Sequence, residues 1–169
     1  LLGAGAPHQF PNLADLLTAQ LFQVLPDSQE RLEADVPRIS RTWDRLQEWL
    51  GARTGEPRVV HGDVCPPNTY LTVLPDARPT VSGIGDFSPH TLAAAPMMDN
   101  AGAIMFCELE PYDLAVADSA WLAEQARERY GTQLDEALAM YRIYYGFYFS
   151  NAHRFDPRLY QWCLRQLTS

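Results

Sequence analysis

The fold of this chain is decided by the stretch His61-Gly62-Asp63-Val64-Cys65-Pro66-Pro67-Asn68, which follows a short β-type run at residues 58–60. Two further stretches rich in β-forming residues, 69–74 and 80–84, come next and are separated by the turn sequence Pro-Asp-Ala-Arg-Pro. This order predicts a β-hairpin whose open end carries polar residues on both strands.

Helical patterns lie on both sides of the hairpin. Before it, apolar residues recur at helical spacing behind Asn12, a good N-cap, and a second helix is expected from Pro37 to residue 50. After it, helices are expected at 96–108, 113–130, 134–153 and 157–167. We therefore expect residues 1–169 to form one domain that is mainly α with a small β-hairpin: helical over 12–50 and 96–169, with the loop and hairpin in 58–88.

The composition is that of a globular protein that folds. Hydrophobic residues make up 47% of the chain and charged residues 20%. The net charge of -8 argues against a nucleic-acid backbone or an anionic membrane as the main partner, and it would attract a cationic small molecule. All 13 basic residues are arginines.

The cysteines and the apolar runs indicate the cellular setting. Three cysteines stand far apart without the spacing of a disulfide framework or a zinc site, which favours a reducing environment. No apolar run has the length that crosses a bilayer, and residues 1–7 lack a basic start. We expect a cytoplasmic protein that neither enters a membrane nor is secreted.

Three polar residues around the hairpin have the spacing that phosphoryl transfer requires. Asp63 and Asn68 form the pattern Asp-x-x-x-x-Asn, and Asp86 follows eighteen positions after Asn68. Because a hairpin returns its second strand to the start of the first, Asn68 and Asp86 can share a cation, and oxygen ligands of this kind suit Mg²⁺. The third residue, Asp63, stays available as a base that deprotonates an acceptor hydroxyl.

These motifs resemble those of the aminoglycoside phosphotransferase family, which has a protein-kinase-like fold and includes kinases of choline and other small alcohols. The resemblance is carried by His61-Gly62-Asp63 with Asn68, by Asp86-Phe87 and by Asp99, and the carboxyl-terminal helices extend it to the end of the chain. It implies the carboxyl-terminal lobe of that fold. It also implies an ATP-dependent kinase that transfers the γ-phosphate to a hydroxyl of an aminoglycoside-like compound, an amino alcohol or a sugar.

The resemblance also implies a role for each residue. Asp63 would be the catalytic base. His61 would brace the loop 61–68, which corresponds to the catalytic loop of that family. Asn68 and Asp86 would bind Mg²⁺ and, through it, the phosphates of ATP. Asp99 would support the site by accepting hydrogen bonds from the loop backbone.

The nucleotide-binding half of such a kinase has no counterpart in this sequence. Upstream of the catalytic loop there is no glycine-rich phosphate cover in a β-rich region and no strand lysine. The expectation is therefore an absent N-terminal lobe, with this chain either part of a longer protein or a reduced relative. A separate lobe or a second copy of the chain would then be a partner, besides the small-molecule acceptor.

Several side chains keep a second interpretation. His61 is either a catalytic acid-base or a structural histidine. Glu108, Glu110 and Asp113 either contact an amine-bearing substrate or lie on a solvated helix face. The aromatic residues of 141–149 are either buried packing or an interface with another lobe or subunit.

Two other functions remain open at this stage. The chain could be a kinase-like remnant that binds a ligand or partner without catalysis. It could also be a metal-dependent hydrolase that uses His61, Asp63 and Asp86, which would require a tightly bound transition metal.

Overall fold

Helices and short antiparallel strands make up the computed structural model, which describes residues 13–52, 58–75, 80–87, 92–109 and 116–169. This confirms the mainly helical class with a small β-hairpin. The helices are α1 Leu13–Val24, α2 Gln29–Asp35, α3 Ile39–Gly51, α4 Met97–Glu108, α5 Val116–Tyr130, α6 Gln133–Tyr148 and α7 Pro157–Thr168. The strands are β1 Arg58–Val60, β2 Thr69–Thr72, β3 Thr80–Ile84 and β4 Leu92–Ala94.

The predicted hairpin is formed by β2 and β3. Thr69 lies opposite Ile84, and a bulge interrupts the register between Tyr70 and Leu71. The pairing continues one step beyond the strands, because the Gly85 N–H donates to the carbonyl oxygen of Asn68 at 2.9 Å. The chain therefore leaves β3 beside the residue that enters β2, which places Asp86 at the same end of the hairpin as Asn68.

A second pair of strands, β1 and β4, joins the segments on either side of the hairpin. Arg58 lies opposite Ala94 and Val60 opposite Leu92. The sequence pattern predicts β1 but not β4. This pairing fixes the segment before α4 against the strand that leads into the loop 61–68.

Helix α6 lies at the centre of the core. Ten of its residues are buried, and it packs against α1, α3, α4, α5 and α7. Tyr141 meets Trp49 edge to face at 5.3 Å between ring centroids, and Phe147 meets Trp43 in the same way at 5.3 Å. A helix that is apolar on nearly all sides is typical of a core element, so most of the aromatic residues in 141–149 are packing residues.

The helix boundaries follow local signals in some places and not in others. The Asp156 side chain caps α7 by accepting from the N–H groups of Arg158 and Leu159, at 3.0 and 3.1 Å. Helix α6 ends at Tyr148, earlier than the predicted residue 153, and a 3₁₀ turn follows over Ser150–Arg154. No helix in the described ranges has both the length and the apolarity to cross a membrane.

Candidate functional site

Asp99 fixes the backbone at the start of the loop 61–68. Its Oδ2 accepts from the His61 N–H at 2.9 Å, and its Oδ1 accepts from the Gly62 N–H at 2.8 Å. Gly62 has a φ of 80°, a conformation that suits glycine. A carboxylate in the first turn of α4 thus holds two successive amides of the loop, which is the contact that the resemblance implies for Asp99.

His61 connects the loop 61–68 to the segment that carries Asp86. Its buried ring donates from Nε2 to the Gly85 carbonyl at 2.7 Å, while Nδ1 accepts from the Asp63 N–H at 3.3 Å. Because a carbonyl can only accept, Nε2 carries a proton in this arrangement, and Nδ1 is the nitrogen that faces the Asp63 N–H. The ring also contacts Phe87, with centroids 4.7 Å apart. With both nitrogens in these hydrogen bonds, the structure favours the bracing role for His61 over a catalytic acid-base or a metal ligand.

Asn68 orients Asp63. Its Nδ2 donates to both the backbone carbonyl and the carboxylate Oδ2 of Asp63, each at 3.0 Å. The Asn68 side chain is buried behind the 3₁₀ turn Pro66–Asn68, so it holds the carboxylate from within the protein. Within the described ranges, no hydrogen-bond donor reaches Asn68 Oδ1.

Asp86 adopts a strained backbone conformation beside Asn68. Its φ is 61°, in the left-handed region that few non-glycine residues occupy, although Asp is among those that tolerate it. Its side chain is exposed, and none of the described residues donates a hydrogen bond to the carboxylate. Strain of this kind is concentrated at functional sites, where the surrounding structure maintains it.

Gly85 allows the hairpin end to close tightly. A Cβ at this position would lie 2.5 Å from Cε2 of Tyr70. Glycine therefore lets the exposed Tyr70 ring lie against the backbone just before Asp86. The packing gives a local reason for a small residue at this position.

The oxygens of Asn68 and Asp86 are suitable ligands for magnesium. Mg²⁺ is usually held by one or two protein oxygens, with waters and substrate phosphates completing its coordination. By contrast, the described residues contain no group of three or more His, Cys, Asp or Glu that could hold a metal ion. The residue types fit magnesium on a phosphate better than the transition-metal site of a hydrolase.

A small pocket of about 90 Å³ opens beside Asp63. Its wall is mostly aromatic, and no Arg, Lys or His lines it; the lining comprises Gln20, Gly62, Asp63, Met98, Phe106, Tyr144, Tyr145, Tyr148 and Phe149. Gln20 is held at the pocket by accepting on its Oε1 from the Tyr144 hydroxyl at 2.7 Å. Burial, followed by the negative charge of Asp63, raises the pKa of Tyr148. Asp63 thus lines the pocket together with protonated tyrosine hydroxyls and aromatic rings.

Cys65 lies in the loop 61–68 but has the wrong properties for a nucleophile. Burial raises the pKa of its thiol, and the negative charge of Asp63 raises it further. The thiol therefore stays protonated near neutral pH. The backbone of Cys65 has a structural role, because its carbonyl accepts from the Thr69 hydroxyl at 3.0 Å.

Of the acidic residues proposed as substrate contacts, Glu108 does not line this pocket. Glu108 accepts on Oε1 from Arg142 and from the Ser119 hydroxyl, and it borders a different cavity beside α7. Its charge is therefore matched by an arginine away from Asp63. Glu110 and Asp113 lie outside the described residues.

No family model, curated protein or solved structure matches this chain. The interpretation of the site therefore rests on its geometry. Hydrogen bonds link Asp99, His61, Asp63 and Asn68, and the backbone of Gly85 connects this set to Asp86.

Proposed function

We propose that this chain is the catalytic lobe of a small-molecule kinase of the aminoglycoside phosphotransferase type, with a protein-kinase-like fold. It transfers the γ-phosphate of ATP to a hydroxyl of a small acceptor. The observation that carries this proposal is the arrangement at the hairpin end: Asn68 holds the carboxylate of Asp63 with its amide nitrogen, and the Gly85 N–H bonded to the Asn68 backbone carbonyl brings Asp86 to the same end of the hairpin.

The roles of these residues follow from their contacts. Asp63, fixed through Oδ2, orients the acceptor hydroxyl in the pocket and takes its proton as the oxygen attacks phosphorus. Asn68 and Asp86 would hold Mg²⁺, which when bound neutralises charge on the phosphates of ATP. His61 and Asp99 keep the two loops in register. Catalysis in this scheme is mostly positioning, as expected for phosphoryl transfer.

The pocket supports an acceptor with an apolar or positively charged body. Its aromatic rings and the carboxylate of Asp63 favour a cation, and no basic side chain in the lining opposes one. The net charge of -8 acts in the same direction over longer distances. Since the volume is about 90 Å³, the pocket would receive the part of the acceptor that bears the hydroxyl.

The hairpin supports a donor site on its exposed side. Its apolar side chains are open to solvent to an unusual degree: Tyr70 57%, Leu71 56%, Val81 63% and Phe87 64%. Apolar patches of this kind mark binding surfaces. We place the nucleotide, and the lobe that would complete its site, on this side. None of the three cysteines forms a disulfide, which supports the cytoplasmic location that we propose for the reaction.

Binding of ATP should depend on magnesium and on Asp86. In titration calorimetry, ATP should bind the protein with Mg²⁺ and at least about tenfold more weakly after Mg²⁺ is chelated, because the phosphates then lose their link to Asn68 and Asp86. Asp86→Asn should weaken Mg-dependent binding to a similar extent. Asn tolerates a positive φ as Asp does, so the variant removes the charge without adding strain.

Asp135→Asn is the matched control for this titration. It removes the same charge from an exposed residue that pairs with Arg127, and it should leave binding unchanged. With the lobe that completes the nucleotide site present, equal ATP binding with and without Mg²⁺, or no binding under either condition, would count against the kinase proposal. The second result would favour the binding remnant.

A further inference from the structure

Tyr145 brings a buried hydroxyl to the residue that precedes Asp63. From the middle of α6, it donates to the Gly62 carbonyl at 3.2 Å, across 83 residues of sequence. Its ring is packed edge to face against Phe106 and stacked on Phe149, with centroids 5.7 Å away in both cases. The ring could be replaced by that of phenylalanine, so packing alone does not account for the hydroxyl.

The hydroxyl completes the fixation of one peptide unit. The carbonyl of the Gly62–Asp63 peptide accepts from Tyr145, and the N–H of the same peptide donates to Nδ1 of His61 at 3.3 Å. The preceding peptide is held by Asp99 through the Gly62 N–H. Because glycine restricts its own backbone least of all residues, these external contacts determine how the peptide is turned.

We propose that Tyr145 is a positioning residue for Asp63, whose hydroxyl sets the orientation of the peptide that carries the catalytic base. The proposal rests on the function assigned to Asp63 above. Two helices then act on the loop together: α4 holds its amides through Asp99, and α6 holds its carbonyl through Tyr145. Burial also raises the pKa of the Tyr145 phenol, so the hydroxyl stays protonated and can donate at neutral pH.

The test compares Tyr145→Phe with Tyr141→Phe. Both remove one hydroxyl from a buried tyrosine of α6, one helical turn apart, but Tyr141 packs on Trp49 and does not line the pocket. In Tyr145→Phe, amide hydrogen exchange of residues 61–63 should become about tenfold faster, and kcat should fall about tenfold with the KM for ATP within twofold. Tyr141→Phe should change neither the exchange of these amides nor the ratio of kcat to KM.

The two measurements separate this proposal from the proposed function. If exchange of residues 61–63 is faster in Tyr145→Phe but not in Tyr141→Phe, the positioning role is supported. This holds even if the wild-type protein transfers no phosphate, a result by which only the kinase assignment fails. An active wild type with unchanged kcat and unchanged exchange in Tyr145→Phe overturns the positioning role and leaves the kinase assignment standing. Equal exchange in the two variants also overturns it.

Discussion

Asp63→Asn should lower turnover by about 10²- to 10⁴-fold, the range lost with a general base, while the protein melts at nearly the wild-type temperature. The amide oxygen of the new residue can still accept from Asn68 Nδ2, so the loop keeps its hydrogen bond. An amide, however, cannot take the proton of the acceptor hydroxyl. Initial rates at saturating Mg²⁺ and ATP, with thermal melts of the same samples, measure both quantities.

The control for this variant is again Asp135→Asn, because it removes an exposed carboxylate from the distant start of α6. It should retain wild-type turnover. If Asp63→Asn also stays within about threefold of the wild type, then Asp63 is not the base, and the proposed mechanism has to be abandoned.

Asp99→Asn should destabilise the fold by about 1 to 3 kcal/mol and lower turnover as well. The carboxylate accepts from two amides, His61 N–H and Gly62 N–H, with one oxygen each. An asparagine can accept only one of these hydrogen bonds and presents its own NH₂ group to the other amide, which then lies unpaired in a half-buried loop. Denaturant unfolding followed by fluorescence gives the change in the free energy of unfolding.

The same experiment on Asp135→Asn gives the scale for an ordinary surface carboxylate. That residue pairs with Arg127 where both side chains are at least half exposed, and such pairs contribute at most about 1 kcal/mol. If Asp99→Asn costs no more than Asp135→Asn, the support assigned to Asp99 is wrong. Asp99→Asn should lose both activity and stability, whereas Asp63→Asn should lose activity alone. This difference distinguishes the supporting residue from the base.

Local signals explain which parts of the fold were predictable. The hairpin follows from two β-type runs around a proline-containing turn, and the start of α7 follows from Asp156 and Pro157. The strand Leu92–Ala94 was missed because its pairing with β1 depends on contacts across more than thirty residues. Residues 29–35 fall in the range expected to be helical, but α2 was not predicted as a separate helix, because its seven residues bury only Leu32 and leave no helical stripe to detect.

The site was predictable where the hairpin alone brings residues together. Asn68 and Asp86 flank the two strands, so their proximity follows once the hairpin is inferred. The roles of Gln20 and Tyr145 could not be predicted, because they depend on tertiary packing. Gln20 bonds Tyr144 where α1 packs on α6, and Tyr145 bonds Gly62 where α6 packs on the loop 61–68. In the sequence, Tyr145 is one aromatic residue among several on the same helix, and its hydroxyl acquires a partner only in the folded chain.

The most direct test of the central claim is phosphorus-31 NMR of the protein, together with the lobe that completes its nucleotide site, incubated with Mg²⁺, ATP and a panel of small hydroxyl compounds that includes amino alcohols. The account predicts that, with at least one compound, a phosphomonoester signal grows as ATP is converted to ADP, and that Asp63→Asn produces none above background. ATP that stays intact with every compound, or that yields only inorganic phosphate, or a phosphomonoester formed equally well by Asp63→Asn, would contradict it.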